Sequence, residues 1–282
     1  MNITFHKMHG TLNDFVVFHD LEGKVNLSAD QVTRICDRRA GVGADGVIVV
    51  RRSSTADFFM DYVNSDGSLA EMCGNGIRCL AKYAYDNGLT DKQTLRVETR
   101  AGIKELALTL GEDRTVERVR VDMGPPIFDP AKIPVNLQTD GSPIIDHPLS
   151  VGAETFLCCI LSMGNPHCVI VMDEVPPDLL RRVGPLMECH QLFPARTNVE
   201  FICLERPGRI LMRVWERGSG ETLACGTGAC AAFVAMCLKG LVRGSAVVAL
   251  PGGDLEIQWK SHESPVLMTG PASSVFSGTI TI

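Results

Sequence analysis

The chain carries the same cysteine–glycine loop twice, as MCGNGIRC around Cys73 and as ACGTGAC around Cys225, 152 residues further on. One constant offset that relates several pairs of similar positions indicates an internal duplication. It therefore predicts two lobes, each with one cysteine at the start of a helix, and we expect the two thiols to face one cleft. Three further pairs of positions share the offset: Asn13 and Asn165, Gly46 and Asn198, Asn64 and Glu216.

Short β-type runs bounded by turn residues recur in both halves and predict mostly antiparallel sheets. Each half has one well-marked helix, directly after its loop, for which Asn75 and Thr227 are the predicted N-caps and Asn87-Gly88 and Lys239-Gly240 the predicted ends. The second helix is apolar on almost every side, so it must be enclosed. We therefore predict an α+β fold in which each sheet is rolled around a central helix.

The composition limits the kinds of molecule that this protein is expected to bind. The net charge is −6, and charges of both signs are mixed along the chain, which argues against nucleic-acid binding and against attachment to a membrane surface. The longest apolar run, residues 229–238, is too short to span a bilayer, and the first residues do not resemble a signal peptide. We expect a cytoplasmic protein whose partner is a small molecule.

Eleven cysteines cannot all pair within one chain, and a reducing compartment fits that number best. The spacings from Cys73 to Cys79 and from Cys225 to Cys230 do not match common zinc sites, so no metal is expected. Most of the other cysteines have apolar neighbours, which is typical of thiols packed in a core.

A helix N-terminus offers backbone N–H groups and a partial positive charge, so each loop is a candidate anion site. Gly74, Gly76, Gly226 and Gly228 allow a ligand to approach the backbone closely. The same field should favour thiolate and lower a cysteine pKa from about 8.5. One thiol could then remove a proton from a carbon and the other return a proton to its opposite face, which inverts the centre without a cofactor.

Five segments, KMHGTLNDFVVFHD, DYVNSDGSLAEMCGNGIRC, MGNPHCVIV, TNVEF and WERGSGETLACGTGACAA, resemble the diaminopimelate epimerase family in order and in residue type. The resemblance implies two lobes related by a pseudo-twofold axis, with the last strand returning to the first lobe. The turn residues Gly124-Pro125-Pro126 and Gly270-Pro271 mark the ends of the two copies, so with this return the lobes are expected at residues 1–124 plus 271–282 and at residues 125–270. It also implies LL- and meso-2,6-diaminopimelate as substrates in lysine and peptidoglycan-precursor synthesis, no cofactor, and a homodimer.

Carried over to this sequence, the resemblance makes Cys73 and Cys225 the acid–base thiols. It implies that the reacting carboxylate is bound by donors at Gly74, Asn75, Gly226 and Thr227. It places Asn13 near the reacting end of the substrate. The distal amino-acid end would be held by Asn64, Asn165, Asn198, Glu216 and Arg217. His167 could contact a catalytic thiol or only support a loop.

Two positions depart from the family pattern. Leu12 stands where glycine is usual, so the backbone next to Asn13 is expected to differ. Gly46 stands where some members have glutamine, so a side-chain contact is lost there. Three alternatives stay open: a proline racemase or hydroxyproline epimerase, which has no distal end to hold; a PhzF-like isomerase, which lacks the two thiols; and a redox-sensing or binding protein.

Overall fold

The computed structural model describes residues 2–282. They form two compact units, Met1–Asp122 with Thr269–Ile282 (the first lobe) and Met123–Met268 (the second lobe). In chain order the elements are β1 (Asn2–Gly10), β2 (Asn13–His19), α1 (Ala29–Cys36), β3 (Gly46–Arg51), β4 (Phe58–Asn64), α2 (Gly74–Asp86), β5 (Thr94–Thr99), β6 (Gly102–Leu110), β7 (Val116–Asp122), β8 (Ile144–Val151), β9 (Glu154–Ser162), β10 (Pro166–Met172), α3 (Leu179–Glu188), β11 (Asn198–Arg206), β12 (Arg209–Glu216), β13 (Gly220–Thr222), α4 (Gly226–Leu238), β14 (Gly244–Leu250), β15 (Gly253–Trp259), β16 (Leu267–Pro271) and β17 (Ser273–Thr281).

The strand pairing of the first lobe recurs in the second. In the first lobe the strands pair in the order β17, β1, β2, β3, β4, β5, β6 and β7, with parallel pairs only at β2–β3 and β4–β5 among these. In the second lobe the order is β8, β9, β10, β11, β12, β14 and β15, with parallel pairs at β10–β11 and β12–β14. Even the register repeats, because Phe15 lies opposite Gly46 and His167 lies opposite Asn198. The predicted duplication and the mostly antiparallel sheets are confirmed.

Each sheet is wrapped around one helix, as predicted. Helix α2 packs against β1, β2, β3, β6 and β7, and α4 packs against β9 to β12, β14 and β15. Every residue of α4 from Gly228 to Met236 is buried. Since this helix has no polar face, only enclosure by the sheet keeps its apolar side chains from water.

The predicted N-caps were wrong by two residues. Helix α2 begins at Gly74 and α4 at Gly226, so the caps are Cys73 and Cys225, both with extended backbones. In the first lobe the Gly76 N–H donates to Cys73 Sγ at 3.4 Å, the hydrogen bond that a capping serine would otherwise accept. The predicted helix ends at Asn87-Gly88 and Lys239-Gly240 are confirmed.

Leu12 lies in the two-residue turn between β1 and β2, next to Asn13. Thr11 and Leu12 have φ values of 50° and 63°, and Gly10 pairs with Asn13 across the turn. The type I′ turn, one of the two favoured in hairpins of this length, needs positive φ at both central residues, which glycine adopts without steric cost. Leu12 thus follows the left-handed path open to glycine, at the cost of backbone strain.

The Leu12→Gly variant is expected to be more stable than the unmodified protein by about 0.5–1 kcal/mol. Relief of left-handed strain, worth about 1–2 kcal/mol, exceeds the entropy cost of glycine, about 0.5–1 kcal/mol. Urea unfolding measures the difference. Leu12→Ala is the matched control: it keeps a Cβ and should gain nothing, since the Leu12 side chain is half exposed. An equal gain in both variants would rule out backbone strain as the cause.

Candidate active site

The Cys73 loop is connected to the start of β2 by a chain of side-chain hydrogen bonds. The Cys73 thiol donates to Asn13 Oδ1 at 3.6 Å, and Asn75 Nδ2 donates to the same oxygen at 3.3 Å. On its other side, Asn13 Nδ2 donates to Asp45 Oδ2 at 2.7 Å. Asn13, Cys73 and Asn75 therefore belong to one constellation in the first lobe.

Arg78, which the sequence analysis did not single out, fixes this loop from inside. Its side chain is fully buried, and its nitrogens donate to Asn75 Oδ1 and the Gly74 carbonyl at 2.9 Å each. Its Nε donates to the Pro271 carbonyl at 3.1 Å. A guanidinium can only donate, so Asn75 must direct its oxygen to Arg78 and its amide N–H towards Asn13.

Two further positions from the sequence analysis lie on the paired strands β3 and β4. Asn64 ends β4 opposite Gly46, and its Nδ2 donates to Ser68 Oγ at 3.0 Å. At Gly46 a Cβ would lie 2.5 Å from the Tyr62 ring and 2.6 Å from the Val63 carbonyl. The space that a longer side chain would enter is already filled by the neighbouring strand.

Cys225 has a different electrostatic setting from the one expected. Burial, followed by the negative charges of Glu216 and Glu200, raises the pKa of the Cys225 thiol well above its usual value. A hydrogen bond with the Thr227 hydroxyl, 3.5 Å from Sγ, and another from the Gly228 N–H oppose this shift without overcoming it. The expectation that the helix N-terminus would lower the pKa is wrong for this thiol, because desolvation and two carboxylates outweigh the helix field. The raised pKa favours the thiol form of Cys225, which can donate a proton.

Glu216 lies against this thiol. It ends β12, receives a hydrogen bond from the Thr222 hydroxyl and another from Cys225, and its pKa is raised chiefly by burial. The structure thus places the Glu216 carboxylate beside the candidate reacting thiol, whereas the family resemblance assigned it to the distal end. A carboxylate here could accept hydrogen bonds from a bound ammonium.

Arg217, the next residue, is turned towards solvent. Its backbone N–H donates to Asn198 Oδ1 at 2.9 Å, and its Nη1 donates to the Ala195 carbonyl at 3.2 Å. Asn198 is buried, and its Nδ2 donates to the Pro166 carbonyl at 2.8 Å. Asn198 therefore ties the start of β10 to the end of β12 and sets where the Arg217 side chain leaves the backbone.

The turn that carries Arg217 is held by residues that no motif indicated. Glu188, at the end of α3, accepts hydrogen bonds from the Gly218 N–H at 2.9 Å and from Trp215 Nε1 at 2.7 Å. Burial opposes its ionisation, but these hydrogen bonds and Arg196 lower the pKa of Glu188. A fixed turn limits the directions in which Arg217 can reach a ligand.

His167 is fully buried and lies between two acceptor groups. Its Nδ1 is 2.7 Å from Glu200 Oε1, and its Nε2 is 3.0 Å from Asn165 Oδ1. Glu200 is also fully buried, and its second oxygen, Oε2, has no hydrogen-bond partner among residues 2–282. Glu200, like Asp45, was missed because its partner is distant in sequence.

The predicted site residues are divided between the lobes: Asn13, Asn64, Cys73, Gly74 and Asn75 lie in the first, and Asn165, His167, Asn198, Glu216, Arg217, Cys225, Gly226 and Thr227 in the second. Hydrogen bonds link Asn13 with Cys73 and Asn75, Asn165 with His167, Asn198 with Arg217, and Cys225 with Glu216 and Thr227, whereas Asn64 bonds to Ser68. Over the described part of the chain no group of three or more His, Cys, Asp or Glu residues is arranged to hold a metal ion. None of the helices in residues 2–282 is long and apolar enough to cross a membrane.

The family model described as diaminopimelate epimerase matches residues 5–128 and 159–275. A diaminopimelate epimerase from Leptospira biflexa is 45% identical over 282 residues, covering 100% of both chains. The enzyme of that name from Moorella thermoacetica is 49% identical over 275 residues, covering 97% of this chain and 98% of its own.

Solved structures of more distant proteins have the same fold. A probable proline racemase from Agrobacterium radiobacter superposes with a TM-score of 0.72 at 15% identity, covering 99% of this chain and 93% of its own. A PhzF-family protein from Bacillus anthracis gives 0.68 at 17% identity and covers 100% of both chains. Identities this low establish the fold alone, whereas the sequence matches span nearly the whole chain. This chain belongs to the diaminopimelate epimerase family.

Proposed function

We propose that this protein interconverts LL-2,6-diaminopimelate and its meso form by proton transfer at one α carbon, without a cofactor. The observation that carries the proposal is the repeated cysteine at the N-cap of a buried helix, once in each lobe, in a chain of this family. The proposed setting is lysine and peptidoglycan-precursor synthesis in the cytoplasm, by a homodimer.

In the proposed reaction one cysteine, as thiolate, takes the α proton, and the thiol of the other supplies a proton to the opposite face of the same carbon. The raised pKa of Cys225 supports its role as the donor in the substrate-free enzyme. Cys73 is then the base for that direction, and the roles exchange in the reverse reaction. The first-turn N–H groups at Gly74, Asn75, Gly226 and Thr227 are the proposed donors to the reacting carboxylate.

The pair Glu216-Arg217 supports a substrate with two amino-acid ends. The exposed Arg217 guanidinium can hold a carboxylate through two parallel hydrogen bonds, and its backbone is fixed by Asn198. Asn64 and Asn165 are proposed to contact the same distal end. Glu216, beside Cys225, is proposed to receive the substrate ammonium, which would also offset the negative charge that raises the Cys225 pKa.

Incubation with LL-diaminopimelate in deuterated water is expected to give meso-diaminopimelate with one deuterium, at the inverted α carbon. The label follows because the donating thiol exchanges its proton with solvent before it reprotonates the carbanion. Chiral chromatography with mass spectrometry reads configuration and label together. L-Proline, treated in parallel, should keep its configuration and take up no deuterium. Turnover of proline would favour the racemase alternative, and a redox-sensing protein would label neither compound.

A further inference from the structure

Asp45 directly precedes β3, and Asn13 opens the parallel neighbour β2, so the strand register brings the two side chains together. Asp45 Oδ2 accepts from Asn13 Nδ2 at 2.7 Å and from the Asp14 backbone N–H at 3.1 Å. An ionised carboxylate only accepts hydrogen bonds. The contact therefore fixes which end of the Asn13 amide faces Asp45.

A cluster of charged side chains fixes Asp45 in turn. Arg38 Nη2 lies 2.7 Å from Asp45 Oδ1 and 2.7 Å from Asp14 Oδ1, and Lys7 Nζ lies 2.7 Å from Asp14 Oδ2. Asp14 Oδ1 also accepts the Asp45 backbone N–H at 3.2 Å. Two basic and two acidic side chains thus hold one another, and rotation of the Asp45 carboxylate would break several of these contacts.

Asn75 constrains the Asn13 amide from the side opposite Asp45, because it donates to the Asn13 oxygen. Arg78 can only donate, and it holds the oxygen of the Asn75 amide, so that Asn75 Nδ2 is directed to Asn13 Oδ1. With both ends determined, Asn13 must present its oxygen, and not its amide nitrogen, to Cys73 Sγ. An oxygen acceptor stabilises a thiol and not a thiolate, whereas the Gly76 N–H on the other side of the sulfur can stabilise a thiolate.

We propose that Asp45 is a positioning residue that locks the Asn13 amide with its oxygen towards Cys73, so that this loop holds Cys73 as a thiol until substrate arrives. The role of Cys73 as a base rests on the proposed function; the lock itself does not. No equivalent acid exists in the second lobe, where the position 152 residues after Asp45 is Thr197, whose hydroxyl bonds to a backbone carbonyl. The lock therefore acts on Cys73 alone, and the two repeated cysteines have different surroundings.

The test measures the thiol of Cys73 directly. Asp45→Asn replaces an acceptor-only group by an amide that can also donate, so only the contact from Asn75 Nδ2 still opposes rotation of the Asn13 amide towards the sulfur. The pH at which Cys73 is half-alkylated by iodoacetamide in a fixed time, read from the mass of its peptide, should fall by about one unit. One unit corresponds to about tenfold more thiolate at pH values below both midpoints. Cys225 in the same sample is the internal reference and should keep its profile.

Asp45→Asn also removes a negative charge, which by itself would favour thiolate. Asn13→Leu separates the two effects, because it removes the oxygen acceptor and leaves the Asp45 charge in place. The Cys73 midpoint should fall in Asn13→Leu, and adding Asp45→Asn to that variant should shift it by clearly less than Asp45→Asn shifts the unmodified protein, because only the charge effect is left. An equal shift from Asp45→Asn in both backgrounds, an upward shift, or no shift would overturn the proposal.

If Asp45→Asn does not fold, Asn13→Leu alone keeps the test decisive, since an unchanged Cys73 midpoint would exclude any control by the Asn13 oxygen. The alkylation readout requires no turnover of diaminopimelate. Failure of the proposed function and failure of the Asp45 lock therefore give different results: the first is seen in the deuterium experiment, the second in the Cys73 profile.

Discussion

The Cys73→Ala and Cys225→Ala variants are each expected to lose between about a hundredfold and about ten-thousandfold of the epimerase activity, the usual contribution of general acid–base catalysis. Inversion at a carbon needs one group to remove the proton and another to return a proton to the opposite face. Either thiol alone can serve only one of these steps. The two losses should therefore be similar in size although the two thiols have different surroundings.

The measurement is turnover of LL-diaminopimelate by each purified variant, with circular dichroism to show that the fold is kept. Cys237→Ala is the matched control, because Cys237 lies on α4, the helix that Cys225 caps, but near its other end. That variant should keep its turnover and change only in stability. Near-normal activity in either Cys73→Ala or Cys225→Ala would remove the two-thiol mechanism.

The duplication could be predicted because the same spacing of 152 residues relates the two cysteine loops and three further pairs of positions. Helices α2 and α4 begin and end exactly 152 residues apart, since each is enclosed by its sheet and cannot shift without losing its packing. Surface hairpins tolerate deletion, and β5 and β14 begin 150 residues apart instead. The central helices and the mostly antiparallel sheets followed from this repeat together with the apolar sequence of α4.

Helices α1 and α3 were not predicted. For α1 a local signal existed: the Ser28 hydroxyl accepts from the Gln31 N–H, and the Ser28 N–H donates to the Gln31 side-chain oxygen. Helix α3 gives a weaker signal, since Pro185 lies inside it and its N-cap Asp178 makes no side-chain cap bond. Neither helix carries a loop like those at Cys73 and Cys225.

The thiol environments could not be predicted from spacing. Glu200 lies within VEFI, in a strand buried on both faces, so the alternation of residues does not tell which side chain points to α4. Its effect on Cys225 arises because β11 packs against α4, where Glu200 Oε1 lies 2.8 Å from the position of a Cβ on Gly228. The pKa of Cys225 depends on burial and on Glu216 and Glu200, two carboxylates that only the fold brings near.

The duplicated register also shows what the first lobe has in place of His167 and Glu200. The residues 152 positions earlier are Phe15 and Ile48, and all four side chains are fully buried. The positions correspond in space within their own lobes: a Cβ on Gly76 would lie 2.8 Å from Ile48 Cδ1, and a Cβ on Gly228 would lie 2.8 Å from Glu200 Oε1. One lobe thus fills this space with apolar side chains and the other with a buried His–Glu pair.

The His167→Phe variant is expected to lose about 3–5 kcal/mol of unfolding free energy, the usual cost of removing one partner of a buried pair. His167 is the only side chain seen to hydrogen-bond Glu200 within residues 2–282, and Glu200 Oε2 already lacks a partner. His167→Phe alone therefore leaves the Glu200 carboxyl group in the core without a hydrogen-bond partner among residues 2–282. His167→Phe with Glu200→Ile, which copies the first lobe, removes that carboxylate and should recover most of the loss, because apolar replacements of buried pairs are often neutral or stabilising.

Urea unfolding of both single variants and the double variant gives the coupling free energy of the pair, and turnover of diaminopimelate is measured on the same samples. If the pair serves the reaction rather than the fold, the double variant regains stability but stays impaired in turnover. Glu200→Ile alone leaves His167 Nδ1 without its acceptor and should cost less, about 1–3 kcal/mol. A double variant no more stable than His167→Phe would mean that the loss comes from the shape of the phenylalanine ring and not from the carboxyl group of Glu200 left without a partner. Stability regained together with full turnover would instead mean that the His167–Glu200 pair serves neither the fold nor the reaction.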